Sequence, residues 1–285
     1  MGLRQRLLGG GAAGRADAAR PETLARRRGR PAPEGLAWLG HRPDGRAGVL
    51  YPLLLAFGLR FLFGAAGMRL SVTGGERLPS GGYLLVVGLH RSWVDPLVVI
   101  AALPREPRPW FLGSGPSAFD RPWKEALLRR IGGILPVWRG GLDLAVHEAA
   151  ARAVIEAGCP FVVFIEGGVA GPGDALGHLR NGAGLLALRL GCPVVPLALA
   201  GTSELYRGRR IAARFLPAVT AAELLPAPDD DTAAPAPGSR QELERARQVS
   251  EACGDRLAAA LSELVPGTVD PSGRPRHWRW LGRLF

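Results

Sequence analysis

The chain has 285 residues, of which 47% are hydrophobic and 21% are charged, a globular composition that is long enough for one large α/β domain with tails. No window of 18 or more residues lacks a charge, so a membrane-spanning helix is not expected. The three cysteines lie far apart and form no C-x-x-C pair, so they support neither a zinc site nor a disulfide framework. The net charge of +11 comes almost wholly from arginine. Because the arginine side chain forms bidentate hydrogen bonds with phosphate and carboxylate groups, the sequence predicts an anionic partner. Nucleic acid, anionic lipid and a phosphorylated small molecule all fit this prediction.

The N-terminal part of the chain divides into a basic arm and an apolar helix. Residues 1–46 are rich in Gly, Ala, Pro and Arg and are predicted to be a disordered arm. Residues 47–68 are apolar except for Arg60 near the centre of the segment. Because a charge at the bilayer centre costs roughly 3 kcal/mol, we expect a helix that lies in the membrane interface, with Arg60 reaching lipid phosphate. A buried core helix and a single spanning helix are the alternatives.

From residue 69 onward, short apolar runs alternate with helical patterns. Strands are predicted at 83–87, 108–112, 134–138, 161–165, 194–200 and 211–216, and helices at 95–102, 121–131, 142–157, 182–190 and 239–264. Strands separated by helices predict an α/β fold, in which a mainly parallel central sheet is flanked by helices over residues 69–225. Ligands of such sheets bind beyond the carboxyl ends of the strands.

The C-terminal part follows a linker predicted at 226–238, which is rich in Pro and Asp. Residues 239–285 are predicted to form a helix and then a tail that ends in RPRHWRWLGRLF. Tryptophan and arginine together are typical of a lipid headgroup interface, so we expect this tail to dock beside the 47–68 helix. A solvated tail is the alternative.

A histidine and an aspartate occur five positions apart in LHRSWVD, just after the first predicted strand. Five residues of helix rotate by roughly 140°, so His90 and Asp95 converge only if His90 lies in a loop and the helix begins after it. Ser92 is placed to be the N-cap of that helix, with Asp95 three positions on. A neutral imidazole suits proton abstraction from a hydroxyl, and a carboxylate on its other nitrogen would fix its tautomer.

A Ser-His-Asp hydrolase is the competing interpretation of this pair. It would need a serine in a G-x-S-x-G turn, and the nearest stretch, GSGPS at 113–117, has its serine in the wrong place. We therefore predict that His90 activates a hydroxyl of the substrate. The pair alone would occur by chance too often to define a site.

Further blocks follow LHRSWVD in order: GILPVWR at 133–139, FVVFIEGG at 161–168 and CPVVPLAL at 192–199. Together the four blocks resemble the PlsC-like glycerolipid acyltransferases, which make phosphatidic acid from lysophosphatidic acid. The resemblance covers about residues 50–220. It implies an acyl thioester donor, either acyl-CoA or acyl carrier protein, with no other cofactor and no metal. It also implies a lysophospholipid acceptor and an anionic membrane surface, with peripheral or monotopic attachment at the cytoplasmic face of the cell membrane.

The resemblance also implies roles for individual residues. His90 would be the general base and Asp95 would orient it, so that the acceptor hydroxyl attacks the thioester directly. Ser92 matches a small polar residue inside the first block. Arg139 ends the second block and is expected to face the acceptor phosphate. The Glu-Gly of the third block corresponds to Glu166 and Gly167, which are expected to bind substrate.

The third block departs from the family's usual F-P-E-G-T-R-S. Gly168 and Val169 stand where threonine and arginine are usual, which removes a charged contact to phosphate. Arg180, a little further on, is expected to compensate in part. We therefore predict acyl transfer to lysophosphatidic acid, with another lysophospholipid or a non-phosphate lipid as the alternative acceptor.

Two non-enzyme interpretations compete with this prediction. The basic arm and the net charge of +11 would suit a nucleic-acid-binding protein, but no nucleic-acid reading motif occurs in the core, so nucleic acid is not an expected partner. The second alternative is an inactive lipid-binding relative of the family.

Overall fold

The computed structural model describes residues 46–114, 122–123, 133–137, 144–171, 173–226, 235–270 and 276–280. The strands within these ranges are β1 (Arg69–Thr73), β2 (Tyr83–Gly88), β3 (Trp110–Ser114), β4 (Ile134–Val137), β5 (Pro160–Phe164), β6 (Val194–Ala200) and β7 (Arg210–Phe215). The helices are α1 (Arg46–Leu59), which continues into a π-helical turn (Arg60–Ala65), then α2 (Asp95–Ala102), α3 (Leu144–Glu156), α4 (Gly182–Leu190), α5 (Ala221–Leu224) and α6 (Arg240–Thr268).

These strands form one sheet in the order β1-β7-β6-β2-β5-β3-β4. Neighbouring strands within the described ranges pair in parallel, except that β6 and β7 are antiparallel. The central strand is β2, in which Val87 pairs with Phe164 of β5 on one side and with Leu197 of β6 on the other. The predicted α/β fold with a mainly parallel sheet is confirmed.

Apolar layers cover both faces of the sheet, and alternate residues of β2 face opposite layers. Leu84 and Val86 belong to the layer beneath α3, α4 and α6, whereas Leu85 and Val87 belong to the layer beneath the π-helical turn and α2. A strand that is buried on both faces carries an uninterrupted apolar run. The run YLLVV in β2 therefore marks the middle of the fold, and a site at the end of β2 is supported from both layers.

The predicted strands and helices agree with the structure to within a few residues where they are described. The bounds of β6, α2 and α4 are those predicted, and α6 extends four residues past its predicted end. β1 was not predicted, because its five residues form an outer strand with mostly exposed side chains and no apolar run. The four-residue helix α5 is too short to show an apolar period.

Several predicted segments lie outside the described residues. These are the arm at 1–45, nearly all of the helix at 121–131, Arg139 in the second block, the linker at 227–234 and the tail at 281–285.

The helix α1 packs one side on the protein and exposes the other. A Cβ built on Gly58 would lie 3.8 Å from Leu97 Cδ1 of α2, and Leu62 in the π-helical turn is 1% exposed. On the other side, Leu53 and Phe57 are 61% and 74% exposed. No helix in the described part of the chain has both the length and the apolarity needed to cross a bilayer. The interfacial position of this segment stays a prediction.

The helices α4 and α6 cross in close contact at Gly184. A Cβ at this position would lie 2.0 Å from the carbonyl oxygen of Ala246, and the amide of Gly184 donates to Ser250 Oγ at 3.0 Å. Only a residue without a side chain permits this approach. This crossing helps to hold α6 against the sheet, although α6 follows the seven described strands in the chain.

The substitution Gly184→Ala is expected to lower the free energy of unfolding by about 1–3 kcal/mol, because the added methyl group would push the backbones of α4 and α6 apart. Gly182→Ala is the matched control, since a Cβ at Gly182 meets nothing within 4 Å and alanine favours the helix. Urea denaturation of both variants measures the difference. Equal midpoints would contradict the close contact.

Candidate active site

The site lies where β2 and β5 end side by side. Because the two strands are parallel neighbours, their carboxyl ends meet at the same edge of the sheet. His90 follows β2 and Glu166 follows β5, and the backbone amide of His90 donates to Glu166 Oε2 at 2.8 Å. The sequence predicted both residues at strand ends, and the structure brings them into direct contact.

His90 and Asp95 form a hydrogen-bonded pair. The distance from His90 Nδ1 to Asp95 Oδ2 is 2.8 Å, and the aspartate side chain is fully buried. His90 lies in the loop and Asp95 is the first residue of α2, as the predicted convergence requires. A carboxylate can only accept, so the hydrogen lies on Nδ1 and the neutral ring leaves Nε2 to take up a proton.

The predicted N-cap role of Ser92 is wrong. The helix α2 begins at Asp95, the residue before it is Val94, and Val94 already has helical dihedral angles without a side-chain cap. The carboxylate of Asp95 accepts from backbone amides that precede the helix, those of Arg91 at 2.6 Å and Ser92 at 2.8 Å, so Ser92 contributes its backbone and not its hydroxyl. Ser92 is buried, and its predicted contact with substrate stays a prediction.

The backbone amides on Asp95 also fix the imidazole of His90. They hold Oδ2 at the start of α2, and Oδ2 in turn bonds the ring. The ring stacks on Phe164 at the end of β5, with centroids 3.9 Å apart and planes 18° from parallel. The ring is therefore oriented by a bond at its edge and a contact on its face, and its side chain is 13% exposed.

Arg91 forms a buried ion pair with Glu166 that was not predicted. Its Nη1 donates to both carboxylate oxygens at 2.9 Å, and the side chains are 3% and 2% exposed. The guanidinium also donates to the backbone carbonyls of Gly173 and Ala175. Buried charges are tolerated when they are paired and their remaining hydrogen-bonding groups are satisfied.

The loop at 168–177 is tied to the site by the same groups. The amide of Gly177 donates to Glu166 Oε1 at 2.7 Å, and the amide of Ala170 donates to the carbonyl of His90 at 2.9 Å. Both oxygens of Glu166 are thus bonded by groups of the protein itself. The structure gives Glu166 a positioning role, and its predicted contact with substrate stays a prediction.

Gly167 and Arg180 lie against each other beside Glu166. Gly167 has φ +70°, a conformation that favours glycine, and a Cβ there would lie 2.7 Å from Arg180 Cγ. Arg180 is anchored by its backbone, which donates to Ile165 and accepts from Ser250 Oγ, and its side chain is exposed. The structure therefore places an exposed arginine against Gly167, one residue after Glu166. Its predicted role in binding the acceptor stays a prediction.

Metal and cysteine chemistry find little support within the described ranges of the chain. Among the described residues, no group of three or more His, Cys, Asp or Glu side chains could hold a metal ion. Cys192 and Cys253 are buried, and burial raises the pKa of the Cys253 thiol to about 12, so this thiol stays protonated at neutral pH.

Comparisons with known proteins find acyltransferases that are similar to this chain. A model of the acyltransferase family matches residues 69–200, which include His90, Asp95 and Glu166. The chain is 26% identical over 141 residues to the 1-acyl-sn-glycerol-3-phosphate acyltransferase of Borreliella burgdorferi, a match that covers 50% of this chain and 55% of the relative. The chain thus spans about half the length of the curated relative that it matches.

The fold is also similar to a solved structure. The 1-acyl-sn-glycerophosphate (LPA) acyltransferase PlsC from Thermotoga maritima matches with a TM-score of 0.54 and 17% sequence identity, over 79% of this chain and 83% of that one. At this identity, the likeness supports the fold alone.

Replacing Arg91 by glutamine is expected to release the loop at 168–177. Losing the charged hydrogen bonds to Glu166 and to the loop carbonyls should speed hydrogen exchange at the amides of Ala170 and Gly177 by about tenfold or more. Arg105→Gln, at an exposed position away from the site, is the control. Unchanged exchange at both amides in Arg91→Gln would show that the ion pair does not hold the loop.

Proposed function

We propose that this chain, whose residues 69–200 match the acyltransferase family model, transfers a fatty acyl group from an acyl thioester to the free hydroxyl of lysophosphatidic acid. Its similarity to a 1-acyl-sn-glycerol-3-phosphate acyltransferase supports the proposal. The product is phosphatidic acid, and the donor is acyl-CoA or acyl carrier protein. The observation that carries the proposal is the His90–Asp95 hydrogen bond at the end of the central strand.

The first step is general-base catalysis by His90. As the acceptor hydroxyl approaches the thioester carbonyl, its proton passes to His90 Nε2 and its oxygen forms the new C–O bond. The resulting imidazolium is stabilised by Asp95, whose carboxylate is 2.8 Å from Nδ1. The backbone amides on the same oxygen keep that carboxylate in place.

The second step releases the thiol. The tetrahedral intermediate collapses, the C–S bond breaks, and the imidazolium returns its proton to the departing thiolate. The ester and the free thiol are the products, and His90 is again neutral. No acyl-enzyme is formed, which is consistent with protonated and buried Cys253 and with the lack of a G-x-S-x-G turn in the sequence.

The second candidate function is acyl transfer to a different acceptor lipid. The exposed side chain of Val169 favours it. That side chain is 59% exposed, and the amide of the next residue, Ala170, bonds the carbonyl of His90. An exposed apolar side chain therefore borders the dyad where the family's usual block carries an arginine. A lysophospholipid with an esterified phosphate, or a lipid without phosphate, would depend less on that arginine.

The reaction is proposed to take place at an anionic membrane surface. Leu53, Phe57 and Arg60 are exposed on α1 and the π-helical turn, an arrangement that suits a helix lying in the headgroup region. A net charge of +11 favours anionic lipid over neutral lipid.

His90→Ala is expected to lower kcat by about 10²–10⁴-fold, because it removes the base that accepts the hydroxyl proton. The KM for the thioester should change little, since the imidazole acts on the acceptor. Radiolabelled acyl transfer from acyl-CoA and from acyl carrier protein measures both quantities, with Arg105→Gln as the matched surface variant. Full activity in His90→Ala would refute the mechanism.

A panel of acceptors tests which lipid is the substrate. Lysophosphatidic acid is expected to give the highest kcat/KM, and Arg180→Gln should lower kcat/KM for it by about tenfold or more through loss of a charged hydrogen bond. The same substitution should leave acceptors without a phosphate monoester nearly unchanged. A higher kcat/KM for lysophosphatidylglycerol or for a neutral lysolipid would favour the second candidate.

A further inference from the structure

The C-terminal residues 276–280 are held on the loop between β6 and β7. The amide of Arg207 donates to the carbonyl of His277 at 2.9 Å. The guanidinium of Arg276 pairs with Glu204 and lies 5.4 Å from the centre of the Tyr206 ring. These contacts combine a backbone hydrogen bond, an ion pair and a cation–π contact within a few residues, so the segment has a defined position.

The same loop also holds the end of the π-helical turn. The amide of Gly208 donates to the carbonyl of Ala66 at 2.8 Å, one residue after the amide that bonds the C-terminal segment. Trp278 packs against the apolar layer to which Phe61 and Phe63 also pack. The described C-terminal segment and the end of the N-terminal helical segment are therefore bonded to adjacent residues of one loop.

Both segments expose the same combination of side chains. In the C-terminal segment, Trp280 is 51% exposed. The side chain of Arg279 is 69% exposed, with its Nη2 at 3.9 Å from Glu204 Oε1. In the N-terminal segment, Leu53, Phe57 and Arg60 are exposed and follow the i, i+4, i+7 spacing of one helix face. Large exposed apolar side chains next to arginines are unusual on a surface that meets only water.

An anionic bilayer fits this combination. Tryptophan is favoured at headgroup depth, where its ring is apolar and its N–H remains hydrated, and arginine binds lipid phosphate. The net charge of +11 adds a long-range attraction to such a surface.

We propose that residues 276–280 extend the membrane face proposed for α1, with Trp280 at the headgroup depth of an anionic lipid bilayer and Arg279 on lipid phosphate. The functional role of this surface rests on the proposed function, because the surface would place His90 and Asp95 beside lipid acceptors. Its test does not depend on acyl transfer.

The experiment measures sedimentation of the full chain with vesicles of phosphatidylcholine, alone or mixed equally with phosphatidylglycerol. Wild type should bind the mixed vesicles more tightly, and the double variant Trp280→Ala, Arg279→Glu should bind them about tenfold more weakly or worse. Phe57→Ser should also weaken binding, because it removes an apolar side chain of α1 that is 74% exposed.

The matched control is the double variant Leu243→Ala, Arg240→Glu at the start of α6. It also changes an exposed apolar side chain and reverses an exposed arginine. The helix α6 has 29 residues, so this control lies about 40 Å from its other end. Asp270, which accepts from the Tyr206 hydroxyl, lies two residues beyond that end. The control is expected to bind vesicles as wild type does.

The outcomes separate the surface from the active site. Wild-type-like vesicle binding by the Trp280 and Arg279 variant overturns the proposal, and so does retention on duplex DNA with no vesicle binding. Acyl transfer to a short-chain, monomeric acceptor in the absence of vesicles should be unchanged in that variant. Vesicle binding without any acyl transfer by wild type would refute the proposed function and leave the surface intact.

Discussion

The ion pair between Arg91 and Glu166 is the interaction on which the arrangement of the site depends. It joins the ends of β2 and β5 and bonds the loop at 168–177. The amide of His90 donates to the same carboxylate, so the backbone of the histidine is fixed by this pair as well. Because both charged side chains are almost completely buried, loss of either partner would leave an unpaired charge in the protein interior.

Around that pair, the site is assembled from residues that are adjacent in the sheet but distant in the chain. Arg91 and Glu166 are 75 positions apart and meet because β2 and β5 are parallel neighbours. Asp95 comes from α2, whose start turns back toward the loop after β2. The apolar layers on both faces of β2 hold this edge of the sheet, so a local loop carries a dyad with little freedom of its own.

The sequence predicted the parts of the structure that repeat a regular pattern or match a known block. The apolar runs predicted β2 and β6, and the loop position of His90 followed from the geometry of a five-residue spacing. Arg91 was not predicted, because an arginine in a loop is usually solvated and its burial depends on a distant partner. Ser92 was assigned as a cap because its spacing to Asp95 suits a capping box, and its backbone amide does bond the Asp95 carboxylate. The helix nevertheless begins at Asp95 without a side-chain cap, so the serine hydroxyl does not have the predicted role.

The burial of Asp95 and Glu166 affects which charged groups of a bound molecule these two carboxylates can pair with. Asp95 is fully buried and the side chain of Glu166 is 2% exposed, and each is bonded by donors of the protein itself. A positively charged headgroup, such as a quaternary ammonium, would find neither acid open to it. Neither of these two acids would therefore supply a counter-ion that replaces the hydration a cationic headgroup loses on binding.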